Sequence, residues 1–361
     1  MSLRDLRRTV GQLAIVGFDG KDVPVETRAL ARDFDLGGVI YFARNVDSPE
    51  QVAEMSRTSR GLARDTPLWI SVDQEGGRVA RLKRPFTEWP PMNTLGRSGD
   101  EALARRFAVA LARELRAVGV NLDYAPVLDI HTNPANPVIG DRAFAEKADD
   151  VARFARVVIR ALQSEGIAAC GKHFPGHGDT SADSHLELPV LEHEAARFEA
   201  VELVPFRAAV EEEVACIMTA HVLVPAYDAD RPATLSPRLV DAILKKRLGY
   251  QGIVISDDLA MKAISATWAP EESMVEALAA GCDAVLLCDP KPHEQAAALE
   301  AVIHAVEAKR LPMSRIEDAI ARQHRVKARF LSRETAAPAS LGDVLGCPEH
   351  QAVAEEMAAF R

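Results

Sequence analysis

The chain has 361 residues, 48% of them hydrophobic, enough for one large barrel or two average domains around a substantial core. Its 43 basic and 53 acidic residues give a net charge of −10 with no long basic run, which argues against a binder of nucleic acid or of anionic membranes. No window approaches the roughly 18 consecutive apolar residues of a membrane span, and the N-terminal MSLRDLRRTVGQLAIVGF shows no cleavage signal.

In chain order, runs rich in β-branched or apolar residues fall at 12–18, 38–42, 68–72, 120–128, 167–170, 215–220, 252–255 and 284–288. Between most of them lie segments with apolar residues at three- and four-residue intervals, notably 101–118, 149–164, 193–212 and 237–248. Strand followed by helix, repeated about eight times, predicts a parallel α/β sheet closed as a TIM (β/α)8 barrel, with allowance for irregular strands. The rival, an open doubly wound sheet, usually carries a GxGxxG turn after its first strand, and GFDG at 17–20 lacks it. Beyond Phe330 come RETAAPASLGDVLGCPEH and an amphipathic run, QAVAEEMAAF, so 1–330 is expected to form the barrel and 331–361 a C-terminal tail. Cys170, Cys216, Cys282, Cys288 and Cys347 are odd in number, scattered and mostly in apolar surroundings, the pattern of reduced core residues in a cytoplasmic protein.

Polar residues mark the strand ends. Asp73 follows WISV, Asp129 follows PVL, Lys172 and His173 follow AACG, His221 follows MTA and Asp257 follows IVIS, and this end of a barrel is where active sites form. The densest stretch is GKHFPGHGDTSADSH at 171–185, where Pro175, Gly176 and Gly178 rule out a regular helix. Within it, Asp183 and His185 stand two apart, a spacing at which a carboxylate can fix the imidazole tautomer and support its cation.

In IVISDDL, one carboxylate can face the barrel mouth while the other turns away. Asp257 is the better candidate nucleophile, and the competing reading is that both aspartates cap a helix starting near Leu259. The glycines of DQEGGR at 73–78 allow a tight turn beside polar groups suited to sugar hydroxyls, and Arg81 and Arg142 are candidate fixed donors. His173, His177, Asp179 and His185 also admit a zinc reading, although the breakers in HFPGH remove the helical pair of HExxH. No metal or cofactor is expected.

Taken together, residues 73–79 (DQEGGRV), 140–144 (GDRAF), 172–180 (KHFPGHGDT), 183–185 (DSH) and 256–259 (SDDL) resemble the β-N-acetylhexosaminidases of glycoside hydrolase family 3 in their single-domain bacterial form. The motifs span nearly the whole expected barrel and are highly specific in combination. The resemblance implies that Asp257 is the nucleophile, His185 the general acid/base and Asp183 its partner. Asp73, Arg81, Arg142, Lys172 and His173 would hold N-acetylglucosamine.

A carboxylate nucleophile gives a covalent glycosyl-enzyme and retention of anomeric configuration. Histidine replaces the usual second carboxylate, and because a neutral base repels an anion less, phosphate is a candidate rival to water. Longer β-glucosidase relatives carry added domains, which favours the hexosaminidase branch here. The implied partner is a small carbohydrate, a muropeptide ending in 1,6-anhydro-N-acetylmuramic acid, and the implied role is cytoplasmic peptidoglycan recycling. A metal-dependent TIM-barrel hydrolase remains the enzymatic alternative. A non-catalytic sugar-binding protein is the other, although it would have little need for Asp257, Asp183 and His185 together. The residues carry no signal of oligomeric state.

Overall fold

The strand-like runs are apolar on both faces, the pattern of parallel strands covered on both sides. A computed structural model, describing residues 3–64, 66–331 and 340–361, shows how they pair. The strands are β1 (Ala14–Val16), β2 (Gly38–Tyr41), β3 (Trp69–Val72), β4 (Gln74–Gly76), β5 (Val79–Ala80), β6 (Leu122–Asp123), β7 (Ala168–Phe174), β8 (Cys216–Thr219), β9 (Ile253–Asp258) and β10 (Ala284–Leu287). β1–β3 and β6–β10 close a barrel of eight parallel strands in chain order, with β10 returning to β1, while β4 and β5 form a separate antiparallel hairpin. The expected irregularity is present: β6 contributes two residues, and the register shifts between Gly171 and Phe174 of β7 and between Ala284 and Leu286 of β10.

Alternation fills the interior. Ile15, Ile40, Trp69, Ala168, Cys170, Ile253, Ile255, Ala284 and Leu286 belong to the inner cluster. Their neighbours Val16, Val39, Ile70, Ala169, Val254 and Val285 pack in the cluster that includes the surrounding helices.

Helix positions follow the sequence reading at Glu101–Ala117, Ala148–Ser164 and Arg238–Arg247. The expected helix over 193–212 is instead two, Ala195–Ala200 and Val204–Glu211. The second begins with Pro205 in its first turn, where a missing N–H costs nothing, whereas inside a continuous helix it would break the ladder. Strand β7 also runs further than expected, because the ladder continues to Phe174 opposite Thr219, so Lys172 and His173 belong to the strand itself.

The last barrel helix, Met313–Phe330, closes the N-terminal end of the barrel. Its Val326 and Phe330 join the inner cluster, and Gln323 Oε1 accepts from the Trp69 indole at 3.0 Å. Of the tail, 332–339 lie outside the described residues. The amphipathic run forms helix Pro348–Ala358, which buries Val353, Ala354 and Met357 and packs on Glu101–Ala117. The carboxylate of buried Glu114 accepts from Thr87 N (2.9 Å), Thr87 Oγ1 (2.7 Å), Gly346 N (2.9 Å) and His350 Nδ1 (2.9 Å).

Lys327 is buried at the closed end of the barrel, with Nζ donating to the Gly37 carbonyl (3.0 Å) and Gln12 Oε1 (3.3 Å). Burial pushes its ammonium down from 10.5 to about 7, against a weaker opposing pull from Asp35. Between those values the unfolded chain holds the proton and the folded chain does not, so stability climbs as pH rises from about 7, and the penalty is full below it. Lys327→Met should therefore stabilise the protein at pH 6 by on the order of 2 kcal/mol and flatten the rise above neutrality, as read by urea denaturation across pH.

Candidate active site

The alternation that fills the barrel continues past its last apolar layer. On β3 the inward series runs Trp69, Ser71, Asp73, on β7 Ala168, Cys170, Lys172, and on β9 Ile253, Ile255, Asp257, so three charged groups emerge at one mouth. They line a cavity of about 430 Å³ together with Arg81, Arg142, His173, Asp183 and His185. Every residue singled out in the sequence as catalytic or sugar-binding therefore lines one cavity. Its remaining wall includes Ile40, Phe42, Met218, Met261 and Leu286, apolar surface suited to the faces of a sugar.

The floor is a buried charge lattice. Lys172, 2% exposed, donates to Asp73 Oδ1 at 2.8 Å and contacts Glu75 Oε1 at 2.6 Å. Arg142 meets Glu75 in a fork, Nε and Nη2 each at 2.8 Å from a carboxylate oxygen, and donates from Nη1 to the Val138 carbonyl. Arg81 Nη2 reaches Asp73 Oδ2 at 3.3 Å. Burial alone would raise both carboxyls. For Asp73 the charges of Lys172 and Arg81 outweigh it, and for Glu75 those of Arg142 and Lys172 do, so both stay below the usual carboxylate range. Burial likewise disfavours the Lys172 ammonium, but Asp73 and Glu75 more than restore it and raise its pKa.

Glu75 was not among the residues the sequence nominated, and it holds two that were. The hairpin that carries it turns at Gly76 and Gly77, whose φ values of +104° and +57° are costly for residues with a side chain.

On β9 the two aspartates divide their roles. Asp258 Oδ1 accepts from Ala260 N and Cys288 N, each at 3.1 Å, which commits it to the backbone, and burial raises its carboxyl to about 6. Asp257 borders the same cavity as Asp258, with Oδ1 accepting from Asp258 N at 2.8 Å. Neither caps the next helix, Lys262–Ser265, whose N-cap is Met261.

The loop after β7 is anchored on buried Asp129, which the sequence placed at a strand end of the active face without assigning it a role. Its carboxylate accepts from His173 Nδ1 (2.6 Å), His173 N (3.3 Å) and His177 N (2.6 Å), leaving Nε2 as the ring atom His173 can offer to the cavity. The Lys172–His173 and Phe174–Pro175 peptides are cis. Gly178 lies so close to the Ile130 carbonyl that an added Cβ would stand 1.8 Å from its oxygen, so only glycine fits. Beyond it, His185 Nδ1 and the His185 backbone N–H both donate to Asp183 Oδ1 at 2.8 Å, closing the expected dyad. Burial would raise the Asp183 carboxyl, but these two hydrogen bonds reverse the effect and lower it.

The residues of the zinc reading do not converge. His177 is bonded at Nδ1 to Thr180 Oγ1 (2.7 Å) and at Nε2 to Ser184 Oγ (3.0 Å), and burial lowers its pKa to about 4. Asp179 is taken by Thr132 and His193. Among the described residues no group of three or more His, Cys, Asp or Glu side chains is arranged to hold a metal ion. His221, also at a strand end, is buried beneath the site, bonded to Thr234 Oγ1 and the Asp258 carbonyl.

Glu75→Gln should cost roughly 3 kcal/mol, because it leaves Lys172 and Arg142 buried with a charge partner lost. Urea denaturation measures that cost.

The glycosyl hydrolase family 3 N-terminal domain matches residues 5–326. A β-hexosaminidase of Nitrosomonas eutropha is 43% identical over 260 residues, 70% of this chain and 74% of that protein. Among solved structures, a glycoside hydrolase family 3 β-N-acetylglucosaminidase from Paenibacillus sp. FPU-7 superposes with a TM-score of 0.95 at 40% identity, covering 100% of this chain and 69% of that one. NagZ from Neisseria gonorrhoeae, in complex with N-trifluoroacetyl-D-glucosamine, gives 0.79 at 31% identity, covering 96% and 97%. The barrel, its charged mouth and this kinship agree, and the chain belongs to glycosyl hydrolase family 3.

Proposed function

We propose that the chain is a retaining exo-β-N-acetylglucosaminidase that removes non-reducing terminal N-acetylglucosamine without a metal ion. Membership of the family makes it a glycoside hydrolase, and relatives named β-hexosaminidase supply the substrate class. The observation that carries the reading is the Asp183–His185 dyad on the same cavity as the inward carboxylate Asp257.

In the first step Asp257 attacks the anomeric carbon. His185, with Nδ1 held by Asp183, protonates the departing glycosidic oxygen from Nε2. The acid must be the imidazolium, and Asp183 accepts from its Nδ1–H. In the second step the now neutral Nε2 takes a proton from water, which attacks the anomeric carbon from the face the aglycone left, and the two inversions restore the β configuration. Asp73, Arg81, Lys172, Arg142 and His173 would bind the sugar hydroxyls and acetamido group from the lattice beneath.

The natural substrate we infer is a muropeptide fragment in which N-acetylglucosamine precedes 1,6-anhydro-N-acetylmuramic acid, turned over in the cytoplasm during peptidoglycan recycling. No helix among the described residues is long and apolar enough to cross a membrane.

Asp257→Ala should lower hydrolysis of 4-nitrophenyl N-acetyl-β-glucosaminide by at least about 10⁴-fold while the circular dichroism spectrum is kept, and wild-type activity should survive EDTA. NMR of the first product should show the β anomer. Inhibition by EDTA would favour the metal-dependent reading, and an initial α anomer would rule out retention. His185→Ala should lower kcat/KM strongly for alkyl or sugar aglycones and little for activated aryl glycosides. With the aryl substrates kcat and KM should fall together as the glycosyl-enzyme accumulates.

A further inference from the structure

The segment that carries the dyad leaves the barrel at Pro175 and is tied back at 189–191. There Val190 bridges Leu223, Leu191 N donates to the Leu223 carbonyl (2.9 Å) and Leu223 N to the Pro189 carbonyl (2.8 Å). Between these points the His185 side chain is 65% exposed, so packing around the imidazole does little to fix it. Its position depends on how the loop is held.

Ser184, between the two dyad residues, is pinned by His177 Nε2 (3.0 Å) and by Ala263 N on its carbonyl (3.2 Å), and a second hold is at the neck. Asp179 on the outgoing limb and His193 on the returning limb are 14 residues apart in sequence, and the Asp179 carboxylate accepts from His193 Nε2. The other carboxylate oxygen accepts from Thr132 Oγ1 at 2.6 Å. Arg197 Nη2 stands 3.7 Å from Asp179 and 3.1 Å from Glu202, whose side chain lies against Gly176 at the start of the loop. Neither Asp179 nor His193 lines the cavity.

We propose that His193 is a positioning residue for the acid/base dyad: by binding Asp179 it closes the neck of the loop and holds Asp183 and His185 over the cavity containing Asp257. The inference rests on the role proposed above for His185. Without the clasp the outgoing limb keeps Thr132, the bonds of Asn133 and Asn136 to Thr180 and His177, and the bond of His177 to Ser184, but its tie to the returning limb is reduced to the longer Arg197 contact. The dyad then reaches its working geometry from a wider ensemble, and a misplacement near 1 Å is enough to slow proton transfer severely. Only steps that use His185 should suffer.

The test compares His193→Ala and His193→Gln in wild-type and His185→Ala backgrounds, with an alkyl and a 2,4-dinitrophenyl N-acetyl-β-glucosaminide. His193→Ala should lower kcat/KM about tenfold for the alkyl glycoside and less than about twofold for the dinitrophenyl one. His193→Gln, whose amide can still donate to Asp179, should recover most of the loss. In the His185→Ala background His193→Ala should change neither value, because the group it positions is gone. No loss, equal loss on both glycosides, or an undiminished loss without His185 overturns the inference while leaving the acid/base role intact. A His185→Ala enzyme indifferent to leaving group overturns that role, and the clasp's purpose with it.

Discussion

Successive side chains of an extended strand point to opposite faces, and in a barrel one face looks inward at every second residue. The site here is a consequence of that constraint. The positions that seal the interior with Trp69, Cys170 and Ile255 lead two residues on, with Ser71 between on β3, to Asp73, Lys172 and Asp257. The nucleophile candidate and its neighbour Asp258 are the same residue type at adjacent positions, and both border the cavity where the β9 register shifts, but Asp258 is committed to the backbone N–H groups of Ala260 and Cys288.

The charges at the mouth tolerate burial because they are arranged as a closed set. Asp73 and Glu75 face Lys172, Arg81 and Arg142; Lys172 is shared between the two carboxylates, Arg142 forks onto Glu75, and Arg81 reaches Asp73 through a single contact. Removing water from isolated groups of this kind would be prohibitive, whereas a lattice in which each charge is paired keeps its donors fixed before any ligand arrives. The arrangement suits recognition of a neutral, hydroxyl-rich ring. The loop after β7, which carries the dyad, is gripped at its outgoing limb by Thr132, Asn133 and Asn136.

What could be read from the sequence was what is local. Strand positions, the place of Asp257 at a strand end and the Asp183–His185 pairing depend on residues within a few positions of one another. The roles of Glu75 and Asp129 could not be assigned because their partners are remote, Arg142 at 67 positions and His173 at 44. A signal for Glu75 existed in its place two residues after Asp73 beside a glycine turn, but it had meaning only once the hairpin brought it under Lys172. The helix over 193–212 was misread through its apolar spacing, which continues across the break that Pro205 imposes. The extension of β7 to Phe174 could not be seen in its own residues, since it is set by pairing with Thr219.

The Glu114 carboxylate receives four hydrogen bonds, two from Thr87 and two from the tail at Gly346 and His350. An apolar stripe such as Val353, Ala354 and Met357 can lie on a neighbouring helix in several rotations, but a buried carboxylate has few ways to be satisfied, so the polar contact sets the register of the docked helix. In a chimeric barrel, then, Thr87, Glu114 and the segment from Gly346 to His350 form one transferable unit. A tail grafted for its hydrophobic face alone would arrive without its key.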